Sequence, residues 1–335
     1  MRIRIHVALL AALCALVAED PRAEQAVRAT VHEVGTMNGF LSALTMSDRG
    51  LIAGWGGSDP TFVLDTRTGG YATLPYFEPL AVSKHGLVVG IYDAPISSGG
   101  AQGTVWSESD DLQRWADFVP FAINKHGEMA GSCMLGPDVW GPVCIAVIDQ
   151  NGQRTLSSID LGVIAGDVRA YDINDHGEVV GTIFYATGAT RAFRWSARDG
   201  LMLLDPGSSN QNSMAVAINN HGLVVGVVSD QDAFVATEWT WSGTIAAQLG
   251  TNSYAMDIND RGITVVVTLS PTEGFEAKLW IPDLDVFELP RLPGSTGAPW
   301  AFEINNHNQV VGEIASGDGV RYHLVVWDVH VYGKS

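Results

Sequence analysis

Seven near-copies of one short hairpin, a tryptophan recurring in the strand that follows, and no helical periodicity anywhere predict an all-β chain. The expected fold is a seven-bladed β-propeller of four-stranded antiparallel blades, closed by an N-terminal strand. The fullest copy, residues 215–226 (AVAINNHGLVVG), reads as a strand ending at Ile218, the turn Asn219-Asn220-His221-Gly222, and a second strand from Leu223. The other turns are SDRG (47–50), SKHG (83–86), NKHG (124–127), NDHG (174–177), NDRG (259–262) and NNHN (305–308). Their last positions lie 36, 41, 50, 45, 40 and 46 residues apart, within the range of propeller repeats.

The elements follow in order. Residues 1–18 have a basic start (Arg2, Arg4) and an apolar run from Val7 to Ala18, which suits a signal peptide and is too short to span a bilayer. The mature protein is therefore expected to be secreted or periplasmic, as a single propeller domain over residues 27–335. Thr30–Gly35 alternates as a strand does. Each turn then ends in Gly, or in Asn at position 308, the residues that tolerate positive φ. Its leading Asn or Ser can bond the backbone of its own turn. The second strand is expected to end in Gly (VVG at 88–90, 179–181, 224–226 and 310–312), and the third to carry Trp106, Trp195, Trp241, Trp280 or Trp327. A polar turn leads to a fourth strand such as 71–77 or 286–292. The seventh unit has little room for a fourth strand before Ser335, and TVHEVGT (30–36) resembles the fourth strand of unit five (244–251). The N-terminal strand would complete that blade and cover its edge, with Val329–Tyr332 as a competitor for the place.

The pattern Ala-Ile-Asn-x-x-Gly-x-Val-Val-Gly, followed by Ala192-Phe193-Arg194-Trp195, resembles the HAF-repeat family of probable bacterial extracellular proteins. The resemblance covers roughly residues 38–330. It departs in unit one (no Trp), unit three (Ile148 where Trp is expected) and unit six (Val265-Val266-Val267 in place of the Gly ending). It implies export and a propeller-like array, and carries no catalytic residues over.

Composition excludes some partners. A formal charge of −18 repels phosphate backbones and anionic lipid heads, so neither nucleic acid nor membrane insertion is expected. Cys133 and Cys144 stand on expected adjacent strands of unit three, where export favours a disulfide; a buried pair of free thiols is the alternative. Five histidines (His85, His126, His176, His221, His307) occupy the third turn position. Turns on neighbouring blades at a sheet spacing of ~10 Å cannot share a zinc ion unless they converge at the axis. Two residues before the leading Asn or Ser stand Thr45, Ala81, Ala122, Asp172, Ala217, Asp257 and Glu303. Asp172, Asp257 and Glu303 on innermost strands are weak metal candidates; the simpler reading is that each accepts backbone hydrogen bonds.

No cofactor motif is present, and no nucleophile elbow, P-loop or zinc-protease signature. Function is expected on the variable loops opposite the repeated turns, where Tyr92, Asp93, Asp138, Trp140, Arg169, Tyr185, Trp300 and Arg321 pair aromatic and charged groups. That mixture suits an extracellular glycan or a protein partner. The expectation is a monomeric, non-catalytic recognition or scaffold propeller. The rival is a propeller-type glycan hydrolase or polysaccharide lyase, which would need a His, a Tyr or carboxylate, and an Arg together at the channel mouth.

Overall fold

The computed structural model describes residues 27–38, 43–56, 60–92, 100–109, 112–137, 139–148, 153–161, 166–230, 233–270, 274–284, 286–317 and 321–332. The chain is all-β in these residues, with seven four-stranded antiparallel sheets arranged as a β-propeller. Residues 1–18, with the expected leader, lie outside the described residues, as do Asp93 and Asp138.

The innermost strands are Ala43–Met46, Glu78–Val82, Phe118–Ile123, Gly166–Ile173, Asn212–Ile218, Ser253–Ile258 and Pro299–Ile304. In blades one to six, three further strands follow outward in chain order. In blade seven the outermost strand is Val27–Asn38, antiparallel to Arg321–Val331 from Val27 opposite Val331 to Asn38 opposite Arg321. Residues 329–331 belong to that third strand.

The buried apolar residues form clusters that each bridge neighbouring blades; one joins Val265, Ala277 and Leu279 of blade six to Ile304, Val310 and Trp327 of blade seven. Packing two aligned sheet faces in this way is what removes their apolar alternation from water. The recurring tryptophan has a second task. Trp327 and Trp239 are fully buried, and their indole N–H groups donate to the carbonyls of Pro290 and Asp205 in the preceding blade, each at 2.7 Å.

Three details differ from the sequence expectation. Trp239, opposite Val224, holds the core position of blade five, whereas Trp241 lies in the following turn and is 65% exposed. In blade three the equivalent place is Ala146, opposite Met129, rather than Ile148. The VVG glycines do not end their strands, which continue to Tyr92, Tyr185, Ser229 and Ala315. They face a β-bulge in the innermost strand, at Ala215/Ala217 opposite Gly226, for example. A Cβ on Gly226 would stand 2.0 Å from the Met214 carbonyl oxygen, so the glycine is required by close backbone approach.

Cys133 and Cys144 are joined as a disulfide between the second and third strands of blade three, with Cα atoms 5.6 Å apart.

Candidate functional site

The bulges shape the channel. Along a regular strand successive side chains alternate faces, but a bulge lets two neighbours turn toward the axis. All six bulged first strands therefore place both members of a pair on one cavity, among them Leu80-Ala81, Phe121-Ala122, Tyr171-Asp172, Met256-Asp257 and Phe302-Glu303 of blades two, three, four, six and seven. Leu44 and Thr45 of blade one and Val216 and Ala217 of blade five complete the ring. The cavity measures ≈ 520 Å³ and is lined mainly by the later residues of the innermost strands, inside the channel on the variable-loop side of the turns that follow them. Its outer wall is apolar and aromatic; its inner end carries the three carboxylates.

Each carboxylate spans a blade seam. Asp172 Oδ2 accepts from the Ile218 amide at 2.8 Å, and Asp257 Oδ2 from the Ile304 amide at 2.8 Å. Glu303 Oε2 accepts from the Met46 amide at 2.7 Å and the Thr45 hydroxyl at 3.0 Å. These bonds favour the charged forms, but burial in the channel wall outweighs them. Burial pushes Asp172 up to about 6 and Glu303 up to about 8. Asp257 is raised well above the carboxylate range by burial and then by the charge of Glu303. Among the described residues no group of three His, Cys, Asp or Glu is placed to hold a metal ion.

Of the sequence-derived candidates, Asp172, Asp257 and Glu303 line this cavity, whereas Tyr92, Trp140, Arg169, Tyr185, Trp300 and Arg321 are not in its lining. Trp140 stacks on Phe121 with centroids 6.0 Å apart, and Trp300 lies 6.4 Å from Phe302 and 4.5 Å from Phe275. Trp140 and Trp300 thus extend the aromatic wall outward. Arg169 lies on the strand that carries Tyr171, pairs with Asp167 at 3.4 Å and sits over the Phe184 ring. Tyr92 is capped by the Arg114 guanidinium at 3.8 Å and meets Tyr76 edge-on. Tyr185 packs on the interblade core of blade four, and Arg321 opens the third strand of blade seven. Sequence reasoning missed Leu80, Phe121, Tyr171, Val216, Met256 and Phe302. Their signal is an apolar residue just before each small or acidic position, which strict alternation would assign to the opposite face.

At the other end of the channel the turns do converge at the axis, around a cavity of ≈ 370 Å³ lined by their first two positions and not by the histidines. The leading Asn does more than cap its own turn. Asn219 Oδ1 accepts from the His221 and Leu223 amides, while Nδ2 donates to the Asn259 carbonyl of the next blade at 3.0 Å. Equivalent bonds run from Asn124 to Asn174, Asn174 to Asn219, Asn259 to Asn305, and Asn305 to Ser47. A parallel set passes through the second position, from the Lys125 amide to Asp175, then Asn220, Asp260, Asn306 and Asp48. Both sets stop at blade two. Ser47 and Ser83 reach only their own turns, and Lys84 and Lys125 offer no acceptor to the preceding amide.

The fold matches solved structures at low identity. A streptogramin B lyase shares 11% identity with a TM-score of 0.53, over 92% of this chain and 99% of that one. A catalytically inactive virginiamycin B lyase from Staphylococcus aureus with quinupristin shares 10% at 0.55, over 90% and 99%. The β-propeller domain of the Trilobed protease from Pyrococcus furiosus shares 12% at 0.54, over 76% and 84%. No protein-family model and no curated protein sequence matches the chain. At these identities the likeness shows the fold: the chain is a seven-bladed β-propeller with lyases and peptidases among its structural neighbours.

Proposed function

We propose that the protein is an exported recognition propeller that binds an extracellular carbohydrate at the aromatic channel mouth. The observation that carries the reading is the ≈ 520 Å³ cavity, whose rim of Phe121, Tyr171 and Phe302 leads to hydrogen-bonding carboxyl groups at its inner end. Sugar rings stack their C–H faces on aromatic rings and need acceptors and donors for their hydroxyls; the volume falls within the range of small-ligand sites. Export is supported by the resemblance to HAF-repeat proteins and by the Cys133–Cys144 disulfide. No helix among the described residues is long and apolar enough to cross a membrane.

A second reading rests on a specific observation. Asp172 at about 6 and Glu303 at about 8 share one cavity, and carboxyl groups pushed apart in this way can divide acid and base roles in glycan cleavage. Several structural neighbours are enzymes, which keeps that reading level with the first. Among the described residues no histidine lines the cavity: the turn histidines stand at the opposite end, and His323 pairs with Glu33 on the outer strands at 2.9 Å.

A glycan array followed by calorimetry on the best ligand tests both. Phe302→Ala should weaken binding by roughly tenfold, the scale of one lost stacked ring. Product release that disappears in Glu303→Gln, with binding retained, would establish the enzyme. Full retention of affinity in Phe302→Ala and Phe121→Ala would remove the channel mouth as the site.

A further inference from the structure

Blade two departs from the rest of the ring, and beside it stand two cations that have no carboxylate partner among the described residues. Every seam from blade three round to blade one carries both interblade hydrogen bonds of the turn face. At the seam between blades one and two neither is made, because Ser47 is too short and Lys84 has no acceptor. Lys125 has a carboxylate 2.9 Å away in Asp175. Lys84 is exposed and lines the axial cavity as well, and among the described residues neither it nor Arg49, at the outer edge of the blade-one turn, has such a partner.

Both cations line one groove of ≈ 500 Å³ between blades one and two, on the face opposite the variable loops. Arg67, Tyr71 and Trp106 line it too. Tyr71 is 61% exposed; it lies nearly parallel to Phe62, with centroids 6.1 Å apart, which leaves its other face free to stack. The groove's carboxylates do not cancel its charge: Asp65 is engaged by Arg67 at 3.1 Å, and Glu108 is a single exposed acid. In a chain with 19 basic and 37 acidic side chains, such a place is chemically distinct from the surface around it.

We infer that this groove is a second binding site, for an acidic oligosaccharide whose uronate carboxylates meet Lys84 and Arg49 while a sugar ring stacks on Tyr71. A carboxylate offers each cation a charge-assisted bond, and a pyranose ring gives Tyr71 the flat apolar face that a peptide backbone lacks. The surrounding negative surface repels a long polyanion but tolerates a short one seated in the groove. The site lies on the opposite face from the channel mouth and goes beyond the function proposed for it.

Calorimetry with trigalacturonate, its methyl ester and a glutamate oligomer of equal charge tests the assignment on the full mature chain. The trigalacturonate should bind, the ester should not, and affinity should fall as salt rises. Arg49→Gln combined with Lys84→Gln should weaken binding by roughly tenfold or more, the loss expected for two charge-assisted contacts. Phe302→Ala, at the channel mouth, should leave it unchanged. The two substituted side chains are exposed, and melting curves establish that the variant is folded; the salt series on the unaltered protein gives a reading that needs no variant. No binding, equal binding of the ester, salt-independent affinity or an indifferent double variant would overturn the site. Equal binding of the glutamate oligomer would overturn its assignment to sugars.

Discussion

Single residues in this propeller serve two masters, their own turn and the next blade. Asn219 satisfies its own hairpin through Oδ1 and staples blade five to blade six through Nδ2. The first task is legible in the sequence, because Asx turns have a local signature. The second is not, because nothing in NNHG says that the turns stand side by side around an axis. The glycines divide in the same way. Gly127 is there for its φ of +79°, and a Cβ on it would meet nothing within 4 Å. Gly226 has no unusual φ but faces the bulge carbonyl of Met214. Alanine should therefore separate them. Gly226→Ala should cost about 1–3 kcal/mol through forced backbone movement, and Gly127→Ala about 1 kcal/mol through φ alone. Urea unfolding of the two variants measures this; a Gly226→Ala loss near zero would mean that the bulge yields to the methyl group without cost.

At the scale of elements, the strand Val27–Asn38 carries an unusual share of the responsibility. It is the outermost strand of blade seven, yet it comes first in the chain, so blade seven is built from both ends of the fold. Two side-chain pairs reinforce it: His323 Nδ1 with Glu33 at 2.9 Å, and His32 with Asp328 at 3.5 Å. The hydrogen bond with His323, then that from Thr36, holds the Glu33 carboxyl below its ordinary range. A lowered carboxylate adds stability above its unfolded value, and this is lost as pH falls through the folded one. Removing residues 27–38 exposes the whole edge of Arg321–Val331. The melting temperature should drop on the order of 10 °C, a loss of several kcal/mol for a domain this large. Differential scanning calorimetry decides it; an unchanged transition would mean that the third strand needs no cover. The alternation of TVHEVGT made this strand visible in sequence, whereas the bulges of the innermost strands were not. A bulge inserts one residue without changing composition, so Tyr171 and Phe302 read as core on one face while they line the channel.

Across the whole molecule, repetition made the ring readable and hid the sites. The seven turns announced seven blades because each unit must bury the faces of its neighbours. The channel mouth and the blade-two groove depend on what differs between units, and such differences carry no pattern until the ring brings them together. The three channel carboxylates are the clearest case: Asp172, Asp257 and Glu303 are 46 to 131 residues apart in the chain but share one axis. Their common environment makes a prediction for the entire fold. Burial raises Glu303 to about 8 and Asp172 to about 6, and it raises Glu238, on the third strand of blade five, to about 7. Between the ordinary carboxylate range and these values the folded protein holds more protons than the unfolded chain, so its stability must decline as pH rises through that window. Glu303→Gln keeps an oxygen to accept the Met46 amide but removes the ionisation. Its melting temperature should match the unaltered protein near pH 4 and exceed it near pH 8, where Glu303 would otherwise be charged beside Asp257. Parallel melting curves that stay together across the whole range would show that the channel carboxylates are solvated as freely as surface ones.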